Sequence, residues 1–269
     1  MLRLQRLVAT TVALGCLCAF TAKAQGPGKE LNYLNGLMEY YALYCEKIDY
    51  RELEETYILI YSGRYQQHEK DEQLKQKDLK TVALNLHTIL AETKKGDHEY
   101  KTTLVAELGE YNELKNSFEC KVIEKGSCLD LLPSAKDSFE TSGEDRVESV
   151  IARGVLFGKV SKIKLVFFNA EEFKGLQCPA DRARLFLKSR TDEKGHSNKV
   201  VYAVLTIEIL AKDKCERAWQ VVSKYGYVPG LGNNYYMLCQ VKKIEIFEDS
   251  SLKTRLGEVG KTKGIFEIQ

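Results

Sequence analysis

The residues that could do chemistry fall into two sets. The first is the six cysteines Cys45, Cys120, Cys128, Cys178, Cys215 and Cys239; the second is a run of tyrosines set among glycines, Tyr225 to Tyr236. A thiol becomes a nucleophile where a cation or a helix N-terminus holds it as thiolate. Cys215 is the position to inspect for that role, next to Lys214 and three residues after Lys212, near the start of a predicted helix. It also shares a helical face with Trp219, which favours a core or disulfide role. Zinc is disfavoured: there is no CxxC, and His68, His87, His98 and His196 are scattered without ligand spacing. No metal and no cofactor is expected.

The second set reads Tyr225-Gly226-Tyr227-Val228-Pro229-Gly230-Leu231-Gly232-Asn233-Asn234-Tyr235-Tyr236. Glycines permit unusual backbone angles, and tyrosines supply wide amphipathic contact at low entropy cost. Tyr225, Tyr227, Gly230, Gly232, Asn233, Asn234, Tyr235 and Tyr236 are therefore the candidate ligand-binding residues. The competing expectation is a connection whose tyrosines pack on the sheet. Lys159, Lys162, Lys164, Arg182, Arg184, Lys188 and Arg190 add basic positions. If they shared a side with the loop, an anionic glycan or a similar polymer would fit.

Other matches carry less. Ser161-x-x-Lys164 and Ser250-x-x-Lys253 fit the SxxK spacing without its companion motifs. The carboxylate pairs Glu54-Glu55 and Glu171-Glu172 are sequence neighbours, which point apart on a helix or strand. HExxH, GxSxG, Walker A and the dinucleotide fingerprint are absent. No catalytic residue is assigned.

The elements that must hold these residues begin with an export signal. Arg3 and Arg6 precede an apolar stretch from Leu7 to Phe20, and Ala22-Lys23-Ala24 suits a signal peptidase. Cleavage before Gln25 is expected, with an anchor at Cys16 as the alternative. Removing Arg3, Arg6 and Lys23 leaves 37 basic against 38 acidic residues, a charge near −1. That balance argues against nucleic acid as the main partner. No later stretch is apolar enough to span a bilayer, so no integral membrane segment is expected after cleavage. Six cysteines in an exported chain suit up to three disulfides. Cys120–Cys128 is the favoured pair, because Glu124-Lys125-Gly126-Ser127 can turn the chain back; a loop that short contributes about 2–3 kcal/mol. The chain has no Asn-x-Ser/Thr sequon, which tilts the compartment toward a bacterial envelope.

The expected fold is α+β. Residues 25–130 read as mainly helical. Leu34, Leu37, Met38, Tyr41, Cys45 and Ile48 share one helical face, and Leu53, Tyr57, Ile60 and Tyr61 a second. Leu79, Val82, Ala83, Leu86 and Leu90 make a third face, preceded by the charged run 69–80, and Tyr100, Leu104, Leu108 and Tyr111 a fourth. Lys95-Gly96-Asp97 breaks the last two, and the whole suggests an antiparallel bundle. Residues 131–148 read as a polar linker and 149–269 as a β-rich domain with one helix. Its strands are expected at 155–168, 184–188, 200–210, 235–247 and 265–268, with the helix at 213–224 and a bulge near Lys242-Lys243. The order β-β-β-α-β-β matches the topology of an OB-type barrel.

These readings favour a secreted or periplasmic, non-catalytic ligand-binding or protein-interaction protein. The first alternative is an exported hydrolase or thiol-dependent enzyme with an unrecognised site. The second is an envelope structural or assembly factor that uses Tyr33, Tyr40, Tyr41, Tyr44, Tyr50, Tyr57, Tyr61 and Tyr65 as a partner surface, since those exceed what one helical face can bury.

Overall fold

Strand β7 (Val200–Ile209) shows why a barrel forms here. Val201, Ala203, Leu205, Ile207 and Ile209 are buried while their neighbours are half-exposed, the period-two pattern of a strand with one dry face. On one side β7 pairs antiparallel with β2 (Glu99–Asn112), on the other with β8 (Asn234–Phe247). From β2 the ring continues through β3 (Ser117–Cys120), β6 (Phe173–Gln177) and β9 (Arg255–Lys261) back to β8. The result is a closed six-stranded antiparallel barrel filled by apolar side chains. The computed structural model describes residues 29–45, 49–61, 65–124, 126–132, 162–214, 216–224, 226–227 and 234–261.

A side sheet grows from the barrel. The first half of β8 leaves β7 and pairs in parallel with β5 (Lys162–Phe167), which pairs with β4 (Cys128–Leu131). There Met237 and Leu238 are both fully buried, because each face of the sheet is covered. The two-residue β1 (Lys29–Glu30) runs parallel to the start of β2.

Helix α1 (Tyr33–Tyr44) is capped by Asn32, whose side chain accepts from the Asn35 amide at 2.8 Å. It is sandwiched between the β5/β8 sheet and helix α4 (Glu72–Lys95), which explains why it is buried nearly all round. α4 starts at Asp71, whose carboxylate accepts from the Gln73 and Leu74 amides, and stops at Gly96. Helices α2 (Tyr50–Tyr61) and the short α3 (Tyr65–His68) pack on α4. Tyr50 stacks on His87 with centroids 4.2 Å apart. Helix α5 (Ala180–Arg190) inserts Ala183 and Phe186 into the core, and α6 (Glu216–Ser223) lies between β7 and β8.

The mixed α+β class holds, but the arrangement corrects several expectations. The fourth predicted helix is strand β2, and a spacing of four satisfies both periods: Tyr100, Leu104 and Leu108 also fall on one face of a strand. The β-branched Thr102, Thr103 and Val105 tip the balance. Arg184–Lys188 is part of helix α5, not a strand. The barrel has six strands, two of them from the region read as helical, so the β-β-β-α-β-β order of an OB-type barrel is not what forms. The bulge is where it was expected, at Lys242: Thr206 faces Lys243 while Ile207 faces Val241. The signal at 1–24, most of the 131–148 linker and the strand at 265–268 lie outside the described residues.

Candidate functional site

The described part of the glycine-tyrosine segment consists of Gly226, Tyr227, Tyr235, Tyr236 and the backbone of Asn234; Tyr225, Gly230, Gly232 and Asn233 lie outside it. What is described is anchored. The Tyr227 hydroxyl donates to the Gly126 carbonyl at 2.6 Å, in the turn that leads into β4. Its ring meets that of Tyr236 at 5.6 Å. Burial and the surrounding polar groups push the Tyr227 phenol up to about 12. Tyr235, at the other end, stacks almost parallel on Tyr40 of α1 with centroids 4.1 Å apart, and meets Tyr41 edge-on. Gly226 has φ +83°, the left-handed region that favours glycine.

Beside the Tyr227 anchor sits a polar cluster from β4 and β5. Lys164 Nζ donates to Asp130 Oδ1 at 2.6 Å, and the Cys128 thiol lies 3.6 Å from the same oxygen. The Asp130 hydrogen bond raises the lysine above its ordinary value. Trp219 of α6, half-buried, meets Tyr44 edge-on at 6.1 Å, and its indole nitrogen is buried without an acceptor. Lys164, Asp130 and Cys128 come together with Tyr227 only through the fold, from positions tens of residues away, and no local spacing announces that.

The described basic residues come from two different elements. Lys162 and Lys164 are on β5, whereas Arg182, Arg184, Lys188 and Arg190 are on α5; Lys159 lies outside the described residues. Arg182 is bound to Glu248 at 2.8 Å, and Arg190 donates to the Glu248 carbonyl.

Cys120, Cys128, Cys178 and Cys239 are free thiols, so the expected Cys120–Cys128 bridge is not formed. The reason is topological: β3, which ends at Cys120, pairs with β2 and β6, whereas β4, which begins at Cys128, pairs with β5. The turn at 124–127 forms, but it leads the chain to a different part of the sheet. Cys120 lies in the main core and Cys128 packs against a second cluster around Val166 and Leu238. Burial raises Cys178 and Cys239 above the ordinary thiol value and pushes Cys120 up to about 12, which makes all three poor nucleophiles. Cys45 caps the C-terminal end of α1; Cys215 lies outside the described residues.

Of the helical tyrosines, Tyr33, Tyr40, Tyr41, Tyr44 and Tyr57 are buried and Tyr50 is half-buried, so they are core and not a partner surface. The side chains of Tyr61 and Tyr65 are not among those described. Lys164 of one SxxK match is in a strand, and the other match sits in the bend after β8, so neither begins a helix. Glu172 is buried and accepts from Asn169, whereas its neighbour Glu171 is exposed.

A second cluster escaped the motif search because its members are far apart in the chain. Glu39 of α1 is 1 % exposed; its Oε1 accepts from the Tyr100 hydroxyl at 2.6 Å and its Oε2 lies 2.9 Å from His98 Nδ1. Burial raises the carboxyl above its ordinary value, partly offset by Tyr100, His98 and Lys29. The other histidines sit elsewhere: His68 on Asp78, His87 on Tyr50 and His196 near Asp192. Among the described residues no three potential ligands gather to hold a metal ion, and no helix is long and apolar enough to cross a membrane.

No protein-family model, no curated protein and no solved structure matches this chain, so the site is read from its own residues.

Proposed function

We propose that this is an exported, non-catalytic binding protein whose recognition element is the segment between Tyr227 and Tyr235. The observation that supports it is the double anchorage. Tyr227 is tied to the Gly126 carbonyl and Tyr235 is stacked on Tyr40, so both flanks of the segment are held to the folded core. Binding loops work best on such scaffolds, because the entropy of ordering the ends is already spent in folding. The segment offers asparagine amides, glycine backbone and the apolar Val228 and Leu231, and the nearby Lys164 is neutralised by Asp130. That chemistry suits a neutral polar ligand or a protein surface better than a polyanion. Export rests on the signal at 1–24 alone, since the described thiols offer no disulfide in its support.

The test places a photo-crosslinking amino acid at Leu231 and, as control, at Leu114, a 97 % exposed leucine remote in sequence. Each variant is expressed with residues 1–24 in the producing cell and irradiated. A discrete adduct from position 231 that position 114 does not give, on protein whose N-terminus is Gln25, is the expected result. The same adduct pattern from both positions sinks the reading of the segment, and a retained N-terminus sinks the export.

A further inference from the structure

We infer that the Glu39–His98–Tyr100 cluster is a proton-dependent latch that holds helix α1 on the barrel. Three elements meet there. Glu39 comes from α1, His98 and Tyr100 from the start of β2, and Lys29 from β1. Both carboxylate oxygens have a partner, Tyr100 at 2.6 Å and His98 at 2.9 Å. His98 is still 23 % exposed by its side chain, so solvent protons reach the cluster although Glu39 is sealed. Lys29 is the cation that faces the carboxyl; its Nζ donates to the Asp97 carbonyl at 3.1 Å and stands 5.8 Å from the Tyr100 ring. Burial raises the Tyr100 phenol, with the Glu39 and Asp97 carboxylates adding to it. Those are the charged and titratable groups facing Glu39 among the described residues.

A Glu39 carboxyl that keeps its proton brings no charge into the core. When that proton is lost, a buried negative charge is left to the Tyr100 hydroxyl, the His98 ring nitrogen and the more distant Lys29. Burying an incompletely compensated charge is costly, so the attachment of α1 weakens as pH rises and the Glu39 carboxyl ionises. The sign follows from the raised carboxyl: its contribution to stability is present at low pH and lost as pH rises. Glu39 adjoins Tyr40, whose ring carries Tyr235, and α1 ends at Tyr44, whose ring meets Trp219. Loosening α1 would therefore release one flank of the 227–235 segment. That functional consequence rests on the binding role proposed above; the latch itself does not, and its test uses no ligand.

The experiment follows the melting temperature and the fluorescence of Trp219, the chain's only tryptophan, between about pH 5 and about pH 9. Wild type, Glu39→Gln and His98→Gln are compared. The neutral amide of Glu39→Gln can still accept from Tyr100 but has no charge to bury. The expected result is a melting temperature that falls toward high pH in the wild type by about 3 °C or more relative to Glu39→Gln, with a Trp219 shift in the wild type alone. His98→Gln, which leaves Glu39 and Tyr100 in place, is expected to move or abolish that transition, and it carries the test if Glu39→Gln does not fold. Equal pH profiles for wild type and the variants overturn the inference.

Discussion

Two side chains repair the sheet where its pairing changes. Tyr44 sits where β8 leaves β7 for β5: its hydroxyl donates to the Leu210 carbonyl at 2.6 Å and accepts from the Leu238 amide at 2.9 Å. Asn169 does the same at the Lys242 bulge, donating to the Val241 carbonyl and accepting from the Val241 amide. Both sit in the core, where an unpaired backbone group keeps its full desolvation cost. Tyr44→Phe keeps the ring and its contact with Trp219 but leaves two buried groups short of a partner. The expected loss is about 2–4 kcal/mol, read as a lower urea midpoint with an unchanged slope. A loss under about 0.5 kcal/mol would mean that water replaces the hydroxyl. Neither repair was legible in the sequence, because each joins residues more than seventy positions apart and depends on where a ladder breaks.

At the scale of elements, legibility followed the uniqueness of the period. The alternation of β7 admits no helical reading, and its buried residues are those expected; the bulge in β8 was visible because Ile244 and Ile246 break the phase of Met237, Cys239 and Val241. The expected face of α4 holds at Leu79, Leu86 and Leu90, which are buried, and the charged run before them supplies the first turns of the same helix. β2 was misread because intervals of four fit a strand as well as a helix. β9 (Arg-Leu-Gly-Glu-Val-Gly-Lys) was missed because its apolar signal is only Leu256 and Val259, with glycine between. One of those glycines is needed for close approach: a Cβ on Gly257 would stand 2.5 Å from the Gln177 carbonyl oxygen of β6. A carbonyl in a ladder cannot swing aside as a side-chain tip can. Gly257→Ala is therefore expected to destabilise by about 1–3 kcal/mol, measured by thermal melting. A variant as stable as wild type would show that β6 and β9 separate easily, leaving the barrel open on that side. The tyrosine segment was legible as a composition, but its anchors were not, since Gly126 and Tyr40 come from β4's leading turn and from α1.

At the scale of the whole molecule, the sequence suggests a helical part and a β part, whereas the core is shared. One cluster of buried side chains runs from Leu34 and Leu37 of α1 and Leu53 of α2, through Leu86 and Leu90 of α4, to Leu205, Ile244 and Val259 of the barrel. Helix α1 buries nine of its twelve residues between the two. Separating them would expose that interface at about 25 cal/mol per Å² of apolar area, so helices and barrel should unfold together. Three probes report on different parts. Far-UV circular dichroism follows the helices, Trp219 fluorescence follows the α1–α6 contact, and alkylation of Cys120 and Cys239 follows the β-sheet core. All three are expected to share one urea midpoint, with both thiols protected below it because each is 3 % exposed or less. A helical transition that precedes the thiol exposure would restore the two-part organisation and make α1 a detachable cover. Thiols that stay unreactive after both optical transitions would instead mean that Cys120 and Cys239 are disulfide-bonded in the purified protein, returning the stabilisation of the barrel to covalent bonds.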